Sequence, residues 1–178
     1  EVGVFFGDDN DAPGTARPDP YFGGAGPQRS TCNGCGGCMV GCRYGAKNTL
    51  DVNYLYLAEK LGATVQADTK VVDIVPHEGA SDGANGYQVT TRAVGAGAAS
   101  GGDGARGRRT FTCRGVVLSA SSLGTQELLF RLKQSGSLPR VSDALGNHVI
   151  TNAESLIGVR YPRSEADLSE GVAIGSCV

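Results

Sequence analysis

The sequence predicts an α/β protein, part of a doubly wound domain interrupted by an antiparallel β-meander. Three observations carry this expectation. Residues 115–120, "GVVLSA", form a continuous apolar run of the kind buried on both faces in a parallel sheet. A small-residue turn and the helical "SSLGTQELLFRLKQSG" follow at once, which makes one strand–helix step. Upstream, "GYQVTTRAV" (86–94) and "RRTFTCRG" (108–115) read as two strands joined by a glycine-rich hairpin tip.

Taken in order, residues 1–31 are rich in Gly, Pro and Asp without helical or alternating period. They are expected to be an irregular segment that needs another surface to pack against. A cysteine-rich loop, 32–47, comes next. From Asn48 to Gly62 the apolar residues Leu50, Tyr54, Leu57, Ala58 and Leu61 recur every three or four positions, one face of an amphipathic helix. Asn48 or Thr49 caps its start, Asp51 and Lys60 suit the dipole at its two ends, and Gly62 ends it.

Two short β-rich pieces, 63–67 and 70–75, precede the meander. Its connecting loop, 95–107, has six glycines in thirteen residues, a flexible tip. In the helix after residue 120, Leu128, Leu129 and Leu132 face inward, and Gly136 with Pro139 stops it. A last strand is expected at 155–161. Residues 48–161 thus read as the second part of one domain and 162–178 as the start of a further region. No G-x-G-x-x-G turn follows a buried strand and opens a helix, so the first part of a doubly wound domain is missing. Both ends read as cuts in a longer protein.

The chain has 178 residues, 19% charged and 40% hydrophobic, with a formal net charge of −2. That balance suits a globular protein and points to neither nucleic acid nor a membrane surface. No apolar run is long enough to span a bilayer. Arg106, Arg108, Arg109 and Arg114 flank the glycine-rich loop and read as a solvated hairpin, and Asp8, Asp9 and Asp11 as a solvated turn. With four of six cysteines inside eleven residues, a secreted disulfide framework is disfavoured; a reducing, cytoplasmic location is expected.

Cys32, Cys35, Cys38 and Cys42 have the spacing C-x2-C-x2-C-x3-C, the run with which bacterial ferredoxins hold iron and sulfur. Arg43 stands where those ferredoxins have proline, and no second quartet exists. A [4Fe-4S] or [3Fe-4S] cluster, a structural zinc on four thiolates, a local disulfide and free thiols all remain open. On the first reading the chain is a small stand-alone electron carrier, and on the second a zinc-stapled binding module.

At "CGGCMVGCRYGAKNTLDVNYLYLAEKLGATV" and "GVVLSASSLGTQELLFRLKQSGSLP" the chain resembles the glucose–methanol–choline family of flavin oxidoreductases, most of all its bacterial cholesterol-oxidase-like branch. The likeness runs from about Val4 to Tyr161. It implies part of a Rossmann-like, FAD-binding domain in an enzyme that oxidises an alcohol or sterol by hydride transfer to flavin. By the resemblance, Val71 lies on the strand whose backbone meets the adenine of FAD. Ser119, Ala120 and Ser121 match a G-A-G turn beside the cofactor, with both outer glycines replaced by serine, and Gly124 and Thr125 open the next helix.

Some dehydrogenases of the family hold a three-iron cluster in a C-x5-C-x3-C run, the spacing of Cys32, Cys38 and Cys42. The resemblance thus implies a relay from flavin to an acceptor protein. The family's catalytic His pair has no counterpart: His77 and His148 lie outside its motif and read as surface residues. The chain by itself is expected not to turn over.

Overall fold

The computed structural model describes residues 3–95, 107–150, 152, 155, 157–158 and 170–172. The chain divides into two compact units, Glu1–Val65 with Ile157–Val178, and Gln66–Leu156.

In the first unit, the expected irregular segment does find a surface. Val4 bridges Lys47 in antiparallel sense, the Phe5 N–H donates to the Ala46 carbonyl (2.8 Å), and the Cys32 N–H to the Phe5 carbonyl (2.8 Å). Two short strands, β1 (Ala16–Arg17) and β2 (Arg29–Ser30), pair antiparallel. Thr31, just beyond β2, is buried and donates its hydroxyl to the Ala12 carbonyl (2.8 Å) while accepting from the Thr15 N–H (2.9 Å). Asp19 accepts from the N–H groups of Tyr21, Phe22 and Gly26, which closes the turn between the strands. Arg29 is buried, with its guanidinium 5.4 Å from the Tyr21 ring centroid and Nη2 donating to Asn48 Oδ1 (2.8 Å) and to the Val52 carbonyl.

The helix expected over 48–62 is shorter. Leu50–Val52 form a 3-10 turn, Asn53 breaks away with φ −131° and ψ −103°, and α1 covers Tyr54–Lys60. The Asn53 side chain accepts from the Tyr54 N–H, so it provides the cap that Asn48 or Thr49 was expected to give. The break rotates the apolar stripe. Leu57 and Ala58 are half-buried, whereas Leu50, Tyr54 and Leu61 are exposed. Gly62, at φ +96°, follows the helix end as expected.

The second unit contains the meander. Strands β3 (Thr69–Pro76), β4 (Tyr87–Ala93) and β5 (Arg108–Cys113) form an antiparallel sheet in the order β3-β4-β5. An extra residue, Val72, sits between Val71, opposite Thr91, and Asp73, opposite Thr90; this is a β-bulge. The separate strand expected at 63–67 does not form; those residues are irregular and exposed. Helix α2 (Ser121–Gln134) packs against β3, with Leu132 1% exposed and Leu128 and Leu129 half-buried, as the pattern predicts. Gly136, at φ +75°, ends it, and the Leu138 N–H donates back to the Leu132 carbonyl (3.1 Å).

The run 115–120 departs most from expectation. It forms no strand and pairs with none among the described residues, and Val117 is 90% exposed. A central parallel strand is held by neighbours on both edges and by layers on both faces; among the described residues the run gains no strand on either edge, and only Val116 and Leu118 are half-buried. The strand expected at 155–161 falls largely outside the described residues.

Candidate functional site

Four of the six residues that the resemblance sets beside the cofactor meet in one cleft of the second unit. The cleft, of about 570 Å³, is lined by Val71 from β3, by Ser119 and Ala120 before α2, and by Gly124 on its first turn. A ligand pocket for a small molecule or cofactor has about this volume. Each wall has a local cause. The outer edge of β3 faces away from β4, so apart from the Val71 carbonyl, which Arg131 engages, its backbone has no strand partner among the described residues. Small side chains keep the turn low, and a Cβ on Gly124 would stand 3.3 Å from that of Ala120.

Ser121 and Thr125 take supporting positions instead. Ser121 has φ +62°, the left-handed region, at a position where the resembled turn has glycine. Thr125 Oγ1 accepts the Ala120 N–H at 3.0 Å, which fixes the turn against the helix it opens. Neither lines the cleft.

The sequence reading missed the cleft's charged groups, Lys70, Glu127 and Arg131. Arg131 Nη2 donates to the Val71 carbonyl at 3.3 Å and so ties α2 to the edge of β3. The helical spacing of Glu127, Leu128 and Arg131 puts them on one face, the only signal in the sequence that groups them. A second, smaller cavity of about 270 Å³ lies between the β3–β4 end of the sheet and the loop after α2, with Ile74, Leu118 and Leu138 among its walls.

The four clustered cysteines are not brought together. Among the described residues no three His, Cys, Asp or Glu side chains converge to hold a metal ion. Cys32, Cys35, Cys38 and Cys42 are free thiols, Cys35 exposed and the others half-buried. The physical reason is the backbone of the loop. Gly34, Gly36 and Gly41 take positive φ, and a 3-10 turn at Gly37–Met39 separates the second cysteine from the fourth. Burial pushes the Cys42 thiol up, but the N–H groups of Lys47, Tyr44, Ala46 and Gly45 outweigh it and hold the thiol below its ordinary range. This arrangement fits neither a zinc nor an iron–sulfur cluster.

His77 ends the β3 strand region with Nε2 3.8 Å from Glu78 Oε1, and His148 is exposed at φ +55°. Neither lines the cleft. No helix among the described residues is long and apolar enough to cross a membrane.

A family model described as GMC oxidoreductase matches residues 26–150. The chain is 57% identical over 177 residues to a protein named cholesterol oxidase from Acinetobacter baumannii, covering 99% of this chain and 31% of that protein. It is 47% identical over 180 residues to a protein of the same name from Mycobacterium tuberculosis, covering 99% of this chain and 29% of that one. The chain therefore spans about a third of the length of the curated relatives it matches. No solved structure matches it.

Proposed function

Because the chain belongs to the GMC oxidoreductase family, we propose that it forms part of the FAD-binding domain of an enzyme that oxidises a CH–OH group. The names of its relatives point to a sterol, cholesterol, as the substrate. One observation carries the reading: Val71 and, some fifty residues later, Ser119, Ala120 and Gly124 line a single cleft of cofactor size. When bound, FAD supplies the acceptor for the substrate's hydride.

The residues of this chain bind and orient. The Val71 edge offers backbone donors and acceptors to a planar ring. Ser119, Ala120 and Gly124 let the ligand come close to the backbone. Leu128 gives an apolar wall that excludes water. With neither histidine in the cleft, no residue here is given a proton-transfer role. In this reading residues 115–119 are a strand of a doubly wound sheet whose neighbours come from elsewhere in the enzyme. An iron–sulfur relay is not part of it, since the four thiols do not converge.

The test is anaerobic reduction of the full-length protein reconstituted with FAD. Added cholesterol should bleach the visible flavin absorption, and Gly124→Leu should weaken FAD binding. A full-length protein that retains no FAD would sink the reading.

A further inference from the structure

We propose that Cys35 and Cys38 are a modification site, a dithiol that hydrogen peroxide converts reversibly to a disulfide. The four thiols of the cysteine loop differ in what engages their sulfur. Cys32 Sγ accepts the Gly34 N–H at 3.4 Å, and the Cys32 backbone is tied to the Phe5 carbonyl. At the other end of the loop, the N–H groups of Tyr44, Gly45, Ala46 and Lys47 surround the Cys42 sulfur. Cys35 and Cys38 lie between these two, and no hydrogen bond among the described residues engages either sulfur.

The bend that joins the pair suits closure. Cys35 is exposed and Cys38 half-buried, so an oxidant meets Cys35 first. Gly36 takes φ +69°, and Gly37 opens the 3-10 turn that carries Cys38. A Cβ at Gly37 would stand 3.6 Å from Cys35 Sγ, so this thiol is folded back over the residue directly before Cys38. The two glycines place no side chain between the thiols, and the bend shortens the span that a disulfide has to cover. Backbone contacts hold both sides of the bend. The Gly36 N–H donates to the Gly171 carbonyl (2.9 Å), and Lys47 Nζ donates to the Cys38 carbonyl (3.0 Å).

The chemistry has two steps. Hydrogen peroxide gives one oxygen to the Cys35 sulfur; its O–O bond breaks, and the other oxygen leaves as water with the thiol proton. The Cys38 sulfur then displaces the hydroxyl of this sulfenic acid, the S–S bond forms, and a second water leaves with the Cys38 proton. The dithiol loses two electrons and one peroxide gains them. A thiol reductant reverses the change by exchange, as is usual for an exposed disulfide.

The experiment takes the full-length protein, purified anaerobically, reduced and freed of reductant, and treats it with hydrogen peroxide. Peptide mapping without reduction locates the bond, and dimedone traps sulfenic acid. Wild type should lose the Cys35 and Cys38 thiols together and yield the Cys35–Cys38 cross-linked peptide, and dithiothreitol should restore both thiols. Cys38→Ser should stop at a dimedone adduct on Cys35, whereas Cys35→Ser should give neither that adduct nor the bond. A bond from Cys35 to any other cysteine would overturn the pair. So would survival of both thiols in excess peroxide, or iron with matching acid-labile sulfide in the anaerobic protein, which would put the thiolates on a cluster. None of these outcomes depends on whether the cleft of the second unit holds FAD.

Discussion

The Ala120 N–H donates to Thr125 Oγ1 across 3.0 Å, so the last residue of the cleft's turn is held by a side chain from the helix it opens. Thr125→Val keeps the shape and removes the acceptor. We expect a loss of about 1 kcal/mol, read from urea unfolding, together with weaker flavin binding. Unchanged stability and affinity would show that the bond does not set the turn.

Ser121 bears the opposite kind of strain. At φ +62° its Cβ is in a region that L-residues avoid. Ser121→Gly should therefore raise stability by roughly 0.5–1 kcal/mol, the relief of the left-handed conformation less the entropy that glycine loses on folding. A lower unfolding midpoint for this variant would assign the serine side chain a contact that outweighs the strain.

Gly86 enters β4 at φ +88°, and a Cβ there would overlap the carbonyl oxygen of Cys113 on β5. Backbone cannot give way as a flexible side chain can. Gly86→Ala should cost about 2–3 kcal/mol and increase hydrogen exchange along β4 and β5. Exchange confined to the residues next to position 86 would count against a sheet-wide effect.

Acid should act on the first unit through Asp11. The Arg17 hydrogen bond, and then the Asp8 N–H, hold the Asp11 carboxyl below its ordinary value. A carboxylate whose folded pKa is depressed adds stability that is full above its unfolded pKa and fades as pH falls through the folded one. Wild type should therefore lose stability relative to Asp11→Asn as pH drops below the usual carboxylate range, and the two curves should meet in strong acid. A gap independent of pH would contradict this assignment.

For the cysteine loop, anaerobically purified protein should contain no acid-labile sulfide, and within the loop a thiol reagent should reach Cys35 first, the exposed one of its four cysteines. A broad thiolate-to-iron band with matching sulfide would show that the loop does gather its thiolates around a cluster.

The sequence discloses those elements that local chemistry decides. The three meander strands are visible because β-rich runs and glycine turns fix them nearby. Helix α2 is visible because Gly136 stops it and its leucines share one face. Val71 and Ala120, which line the cleft, were singled out by the resemblance alone and by no pattern in the residues themselves. Three kinds of feature stay hidden. Asn53 breaks a convincing helical period, because one residue's φ and ψ rotate the faces on either side. The cysteine spacing fixes distance along the chain, while the direction of each thiol depends on loop dihedrals that spacing does not encode. Arg131 was invisible for a third reason: its tie to Val71 joins residues sixty positions apart.

The bare strand at residues 115–119 also bears on how the protein is made. Val117 is 90% exposed, and its segment pairs with no strand among the described residues. A segment left without a strand partner is a place where a second copy can pair in place of the proper neighbour.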